Sequence, residues 1–198
     1  MPIIEGMKSI VVLFAPSISL HLFDSVFNGK SSYEKSLRWA QNVPGSTGVF
    51  IFTDKNTASK CAAVNSKNGI ENSKIIEKDS WTVYDLLCSM HEVCQNANAQ
   101  TIVYAWADCP FLNISLTKEI IETHGKYRAE YTYADGYPYG FSPEAVDCGA
   151  ASIIAELSVK EGLPNNTGHN SVTRDSIFSA MKGDINAFEI ETVLSQTD

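Results

Sequence analysis

The sequence predicts an α/β fold: a three-layer sandwich with a mixed, mostly parallel sheet and helices on both faces. Three observations carry this. Short runs of β-branched and aromatic residues alternate with helical stretches from the start of the chain, and such alternation builds a sheet covered by crossover helices. One stretch, Thr82 to Asn96, is plainly amphipathic, with Val83, Leu86, Leu87, Met90, Val93 and Cys94 recurring at the helical period. The last third of the chain adds at least one late strand, so a mixed sheet is expected rather than a purely parallel one.

Taken in order, Ile10 to Ala15 is a continuous apolar run that Pro16 ends, a first strand. Ser17 to Lys30 is mixed and gets no assignment. Ser31 or Ser32 caps a helix through Trp39, and Pro44-Gly45 makes a turn. Gly48 to Thr53 is a second strand, Thr57 to Val64 a short helix, Lys74 to Glu77 a short third strand. After the clear helix comes Thr101 to Trp106, the central strand, rich in β-branched and aromatic residues. Ser115 to His124 is a helix with Gly125 placed for a left-handed cap. Lys126 to Tyr133 alternates, with Tyr127, Ala129, Tyr131 and Tyr133 on one face, as a half-buried strand does. Ala145 to Cys148 reads as extended, Ala150 to Val159 and Val172 to Met181 as helices, Glu161 to Asn170 as a loop, and Ala187 to Val193 as a strand.

The chain of 198 residues is long enough for a single domain over residues 1–198 with a full core. A net charge of −8 argues against nucleic acid or an anionic membrane surface as a partner. No apolar run approaches the ~20 residues of a membrane span. Glu5 and Lys8 break up the apolar start, so no secretory signal is read there. The five cysteines are scattered singly, and we expect reduced thiols in a cytoplasmic protein. The Asn113 and Asn165 sequons carry no glycan in that setting. The chain stops soon after a strand-like run, and we expect the natural protein to continue into a further domain.

Asp108 is the first candidate site residue. It follows the central strand, and Pro110 closes the ladder two residues later. A carboxylate just past the carboxyl end of a central strand stands where α/β sheets bind ligands; the bland alternative is a turn or helix cap. In the loop Asp135-Gly136-Tyr137-Pro138-Tyr139-Gly140 the aromatics either line a pocket or fill the core. Gly136 and Gly140 suggest a backbone path close enough to touch a ligand. Three other motifs fail on their own terms. Gly29-Lys30-Ser31 lacks the glycine a phosphate loop needs five residues earlier, where Asp24 stands. Cys88, His91 and Cys94 fan across too much of a helix to share one zinc. Cys109 has only His124 as a sequence-near base, and nothing fixes a geometry between them.

The run Tyr104-Ala-Trp-Ala-Asp-Cys-Pro-Phe-Leu112 resembles the central motif of the GT-A-like nucleotidyltransferases, the nucleotide-diphospho-sugar transferases, and within them the cytidylyltransferases that activate sugars. The resemblance implies a GT-A fold, a nucleotide or nucleotide-sugar ligand, and a divalent cation, Mg²⁺, held on the phosphates by Asp108. It further implies that Lys30, in Asn28-Gly29-Lys30, contacts phosphate, and that Glu191, in Phe188-Glu-Ile-Glu-Thr192, is a second metal carboxylate; Asp135, Gly136, Tyr137, Pro138 and Gly140, on the glycines and rings of their own loop, are the candidates to bind nucleotide or substrate. One departure stands out. The family's Gly-rich, Arg-bearing loop after the first strand is replaced by Phe14-Ala-Pro-Ser-Ile-Ser-Leu-His-Leu22, without Gly or Arg, and backbone N–H groups close on phosphate less freely without glycine.

Two runs, Ala129-Glu-Tyr-Thr-Tyr-Ala-Asp-Gly-Tyr-Pro-Tyr-Gly140 and Gly183-Asp-Ile-Asn-Ala-Phe-Glu-Ile-Glu-Thr192, resemble the amino-terminal region of the spiro-SPASM proteins. That implies a carboxy-terminal radical-SAM module in the full-length protein. The expectation is a nucleotidyltransferase-like domain, degenerate in catalysis, that binds a nucleotide or nucleotide-sugar with a metal. The alternative is a non-catalytic substrate-recognition domain attached to a radical-SAM/SPASM enzyme module. A purely structural or interaction role is a third reading.

Overall fold

A computed structural model of the chain describes residues 7–19, 21–70, 73–160 and 167–195. The Asn165 sequon, the 161–166 part of the loop read from Glu161 to Asn170, most of the amino-terminal stretch and the last three residues lie outside these.

Strand β1 (Ser9–Ala15) is buried along its whole length. It pairs in parallel with β2 (Ser46–Asp54) on one side and with β4 (Thr101–Trp106) on the other. A strand buried on both faces needs an unbroken apolar run, and Ile-Val-Val-Leu-Phe-Ala supplies it. β3 (Ser73–Lys78) extends the sheet in parallel beyond β2. Beyond β4 comes β6 (Glu144–Asp147), antiparallel to both β4 and β5 (Tyr131–Asp135). β7 (Ile190–Leu194) is parallel to β5 at the edge. The order is therefore β3-β2-β1-β4-β6-β5-β7, and among the described strands β6 alone is reversed. The mixed, mostly parallel sheet expected from the sequence is the one observed.

Three helices cover each face. α3 (Val83–Asn96), α5 (Cys148–Val159) and α6 (Ser176–Met181) bury one apolar cluster against Ile102, Tyr104, Trp106 and Val146. α1 (Ser32–Gln41), α2 (Lys55–Lys67) and α4 (Ile114–Tyr127) cover the other face, over Val11, Leu13, Ile51 and Val103. In α3, Leu86, Leu87 and Met90 are fully buried, each contributing about 1.5–3 kcal/mol by leaving water. Capping boxes fix the starts of α1 (Ser31 with Glu34) and α3 (Thr82 with Asp85).

Several boundaries differ from the sequence reading. α4 runs through Gly125 and ends with Arg128 in the left-handed conformation, φ 53°. The Ala129 N–H donates to the His124 carbonyl there, so the turn closes three residues past the expected glycine. Lys126 to Tyr127 is accordingly helix, and β5 starts only at Tyr131. The helix expected over Val172 to Met181 begins at Ser176 and passes into a 3-10 segment, Lys182–Ala187. Gly29 and Asn28 form a tight turn with positive φ between Phe27 and Lys30, which bond each other's backbones. Ser31 then serves as a helix cap, not as part of a phosphate loop. His91 donates to the Cys148 carbonyl at 2.7 Å and Cys94 is buried. No group of three metal-ligating side chains exists among the described residues.

Candidate functional site

The strand order reverses between β1 and β4, the two strands from which the chain departs in opposite directions. Ligands of open α/β sheets bind in the crevice outside the carboxyl ends of such a pair. Two segments meet there: the Pro16–Ser19 turn after β1 and the Ala107–Pro110 turn after β4. Asp108 lies between them. Its Oδ2 accepts the Ser19 hydroxyl at 2.9 Å and the Arg174 guanidinium at 2.6 Å. Arg174 arrives from the segment before α6 and lies over the Trp106 ring, 4.4 Å from its centroid, and the Tyr139 ring, 5.0 Å away. The sandwiched guanidinium gains from both ring faces and from the carboxylate.

The turn after β1 has its own clamp. Ser17 N–H donates to Asp54 Oδ2 at 2.5 Å, Ser19 N–H to the Pro16 carbonyl, and Leu22 N–H to the Ser19 carbonyl. Asp54, buried, also caps α2 through Asn56 N–H and Thr57. The N–H groups of Ser17, Ser19 and Leu22 are therefore committed within the protein.

Beside Asp108 a cavity of about 280 Å³ opens between the ends of β4, β5 and β6, the aromatic loop, and α6. Trp106 and Tyr104 come from β4, Tyr131 and Tyr133 from β5, Glu144 from the start of β6, and Phe178 from α6. Tyr104 and Glu144 are register partners across β4 and β6, hence on one face. Three buried polar atoms here have no hydrogen-bond partner: the Tyr104 hydroxyl, the Trp106 indole nitrogen and Glu144 Oε2. Burial pushes the Glu144 carboxyl up to about 7 against the opposing hydrogen bond from Tyr131, and the Asp175 charge adds to the rise.

The residues singled out from sequence fall in different places. Asp108 is at the crevice. Tyr137, Pro138 and Gly140 line the cavity. Gly140 has φ +73°, and a Cβ on it would stand 3.1 Å from Cys109 Sγ, so the close approach read from the glycine is real. Asp135 and Gly136 sit at the outer end of the loop, where Asp135 Oδ1 accepts the Gly136 N–H at 2.8 Å. Lys30 lines a separate cleft with Phe27, Lys35, Arg38 and Phe111, on the far side of the Pro110–Leu112 turn. Glu191 pairs with Thr132, in line with Ala145 and Val103. That places it three strands from β4, roughly 14 Å across the sheet, and on the face opposite Tyr104 and Glu144. The structure does not bring Glu191 to Asp108. Nor does it pair Cys109 with His124: the thiol contacts Arg174, burial pushes it up to about 11, and His124 bonds Thr132 beneath α4.

The residues that sequence reading missed are Arg174, Glu144 and Ser19. Each lies far in sequence from Asp108 or alone in an unremarkable stretch. The one available signal was Glu144 standing as an isolated acid at the head of an apolar strand.

No family model matches the chain. A curated relative, an uncharacterized protein of Treponema pallidum (strain Nichols), is 26% identical over 136 residues, covering 65% of this chain and 62% of its own length; the chain thus spans under two thirds of that relative. Solved structures share the fold. A cytidylyltransferase from Leptospira borgpetersenii superposes with a TM-score of 0.73 at 16% identity, over 98% of this chain and 78% of that one. A CMP:2-keto-3-deoxy-manno-octonic acid synthetase complexed with CTP gives 0.62 at 14% identity, over 95% and 90%. Rv0371c of Mycobacterium tuberculosis H37Rv, in complex with manganese, gives 0.60 at 13%, over 96% and 89%. The chain shares the mixed α/β fold of these cytidylyltransferase structures.

Proposed function

We propose that the chain is a nucleotide- or nucleotide-sugar-binding domain of the nucleotidyltransferase type, with a divalent cation carried by Asp108 on the phosphates and with little transfer activity of its own. The observation that supports it is the position of Asp108, a half-buried carboxylate at the switch point between β1 and β4. Structural neighbours with this fold bind CTP in one case and manganese in another.

The donor set fits Mg²⁺ or Mn²⁺ in a limited way. One carboxylate plus substrate phosphates is a normal arrangement for a hard cation, but among the described residues Asp108 has no cluster of metal-ligating side chains around it, and it already holds Arg174 and Ser19. The metal would neutralise phosphate charge. The chain's own residues would do the rest: Asp108 orients, Arg174 shields the negative charge near the crevice, and Lys30, beside Lys35 and Arg38, is the cation open to a phosphate chain extending across Pro110. Asp135, Gly136, Tyr137, Pro138 and Gly140 form the loop flanking the base or sugar.

The committed N–H groups of Ser17 and Ser19 favour loss of catalysis, because each missing donor costs about 3 kcal/mol in a charged transition state. The same observation favours the second reading, in which the domain recognises a substrate without transferring it; the sequence resemblance alone suggests that a radical-SAM/SPASM module would act on that substrate.

Calorimetric titration with the four NTPs, with and without Mg²⁺ or Mn²⁺, tests the proposal alongside a pyrophosphate assay with sugar acids and sugar phosphates. Expected are weak, metal-dependent binding, at least tenfold weaker in Asp108→Ala, and no pyrophosphate release. Turnover abolished by that substitution would make the chain an active transferase. Binding unchanged by it would remove the metal assignment and leave the recognition domain.

A further inference from the structure

The Asp108 carboxylate is already taken. Its Oδ2 accepts two donors, the Arg174 guanidinium at 2.6 Å and the Ser19 hydroxyl at 2.9 Å. An oxygen that carries two donors has no lone pair left for a cation. Among the described residues, Oδ1 meets only the Cys109 thiol, at 3.8 Å. A divalent cation there would share one carboxylate with the guanidinium, and like charges at that range repel. The Arg174 and Asp108 side chains are 31% and 20% exposed, so water screens that repulsion only in part.

Arg174 is placed by contacts that do not depend on Asp108. The Thr173 N–H donates to Ser176 Oγ at 2.7 Å and fixes the turn that carries it. Its guanidinium lies 4.4 Å from the Trp106 ring centroid and 5.0 Å from that of Tyr139. The ring attraction acts on the charge and leaves the direction of the N–H groups free. The present grip on Asp108 is to a single oxygen, and the other bonded nitrogen, Nη1, meets only the Cys109 sulfur, at 3.4 Å, a weak acceptor. A phosphate offers two oxygens to the same fork, the stronger arrangement.

We propose that Arg174 is a positioning residue that keeps Asp108 closed to a divalent cation until a phosphate takes its guanidinium. Arg174 exchanges a one-oxygen contact with the carboxylate for a two-oxygen contact with phosphate, and Oδ2 is freed for the cation in the same event. The carboxylate is never left without a counter-charge, and cation uptake depends on a phosphorylated ligand. The inference rests on the nucleotide-domain reading and deepens it by naming the residue that couples metal to phosphate.

Mn²⁺ binding to the full chain, read by electron paramagnetic resonance of the free ion, tests this without turnover. Wild type is expected to bind Mn²⁺ weakly. Arg174→Gln, which removes the charge, should bind it about tenfold more tightly, because the carboxylate loses its partner. Arg174→Lys, which keeps the charge, should stay close to wild type. Adding Asp108→Asn to Arg174→Gln should abolish the gain. Metal-dependent CTP binding should move the other way and weaken in Arg174→Gln. A second readout needs no Arg174 variant: the Trp106 emission, identified by its loss in Trp106→Phe, should respond to Mg²⁺ with CTP or pyrophosphate and stay unchanged with Mg²⁺ alone.

Equal Mn²⁺ binding by wild type and Arg174→Gln, a gain that survives Asp108→Asn, a Trp106 response to Mg²⁺ alone, or no response to either phosphate compound overturns the inference. If Arg174→Gln fails to fold, the Trp106 emission decides. A response to pyrophosphate but not to CTP, with the Arg174→Gln gain intact, keeps the role of Arg174 and sinks only the nucleotide. Metal-dependent CTP binding with no gain in Arg174→Gln sinks only the role of Arg174.

Discussion

Two titratable side chains, one buried and one half-buried, pull the stability of this protein in opposite directions between pH 4 and 7. His124 is 3% exposed, bonded to Thr132 Oγ1 at 2.9 Å, and burial lowers it to about 4. Its folded value lies below the unfolded one, so its neutral form is favoured above pH ~6.5 and that stability is lost as pH falls toward 4. Glu144, pushed up to about 7, does the reverse: the protonated carboxyl is favoured at low pH, and stability falls as pH rises from ~4.5 through 7. Each shift corresponds to about 3 kcal/mol at full extent. The wild type should therefore show a shallow stability profile across this range. His124→Gln should fall steadily in stability as pH rises from 4.5 to 7, and Glu144→Gln should rise. Urea denaturation at half-unit pH steps checks both; parallel profiles for the two variants would refute the assignment. Glu144 could be read in the sequence only as a lone acid, because its burial comes from the Tyr104 register partner and from α6, residues it does not neighbour in the chain.

At the scale of elements, the sharpest local signals were helix starts. The Thr82–Asp85 box at α3 could be read directly: a Thr followed three residues later by an acid, before an apolar run. Asp85 also meets Lys78 at 3.1 Å, tying the end of β3 to α3. Thr82→Ala should cost about 1 kcal/mol, and Asp85→Ala somewhat more, since it removes the reciprocal bond and the ion pair together; thermal melts would reveal an error if the two were neutral. The end of α4 was the opposite case. Gly125 offered a stop, but helix ends are decided by where the following chain must go. β5 has to begin beside β7 and β6, and Arg128 takes the strained left-handed turn that delivers it there. The alternation of Lys126 to Tyr133 misled for the same reason: Tyr127 stands exposed on the helix rather than on a strand face.

For the whole molecule, the buried centre and the exposed edge of the sheet should behave differently. β1 has parallel partners on both sides and no exposed residue, whereas among the described strands β7 is paired on one side only and has one buried residue, Val193. Phe14 and Phe52 meet Trp81 and Phe14 meets Trp106 edge-on at 5.0 Å, linking β1, β2 and β4 above the crevice. Hydrogen–deuterium exchange should show the slowest amides in Val11–Phe14 and the fastest sheet amides in β7. Comparable protection in the two would contradict a single stability gradient running outward from β1. Asp108 stands in the turn just past β4, beside the buried centre of the sheet.

The sequence by itself determined the layer architecture, the central strand, and the place of Asp108 just past it, because hydrophobic periodicity and a Pro stop act locally and are written in adjacent residues. It also marked the Gly140 approach, since only a missing Cβ permits a backbone to pass Cys109 that closely. The tertiary structure alone decided who meets Asp108. Arg174 and Ser19 lie 66 and 89 residues away along the chain, and only the strand order brings the turn after β1 and the segment before α6 to the same crevice. It likewise decided that Glu191 stands apart, because one reversed strand, β6, inserts between β4 and β5 and moves the late strand to the edge, a displacement that no local pattern encodes.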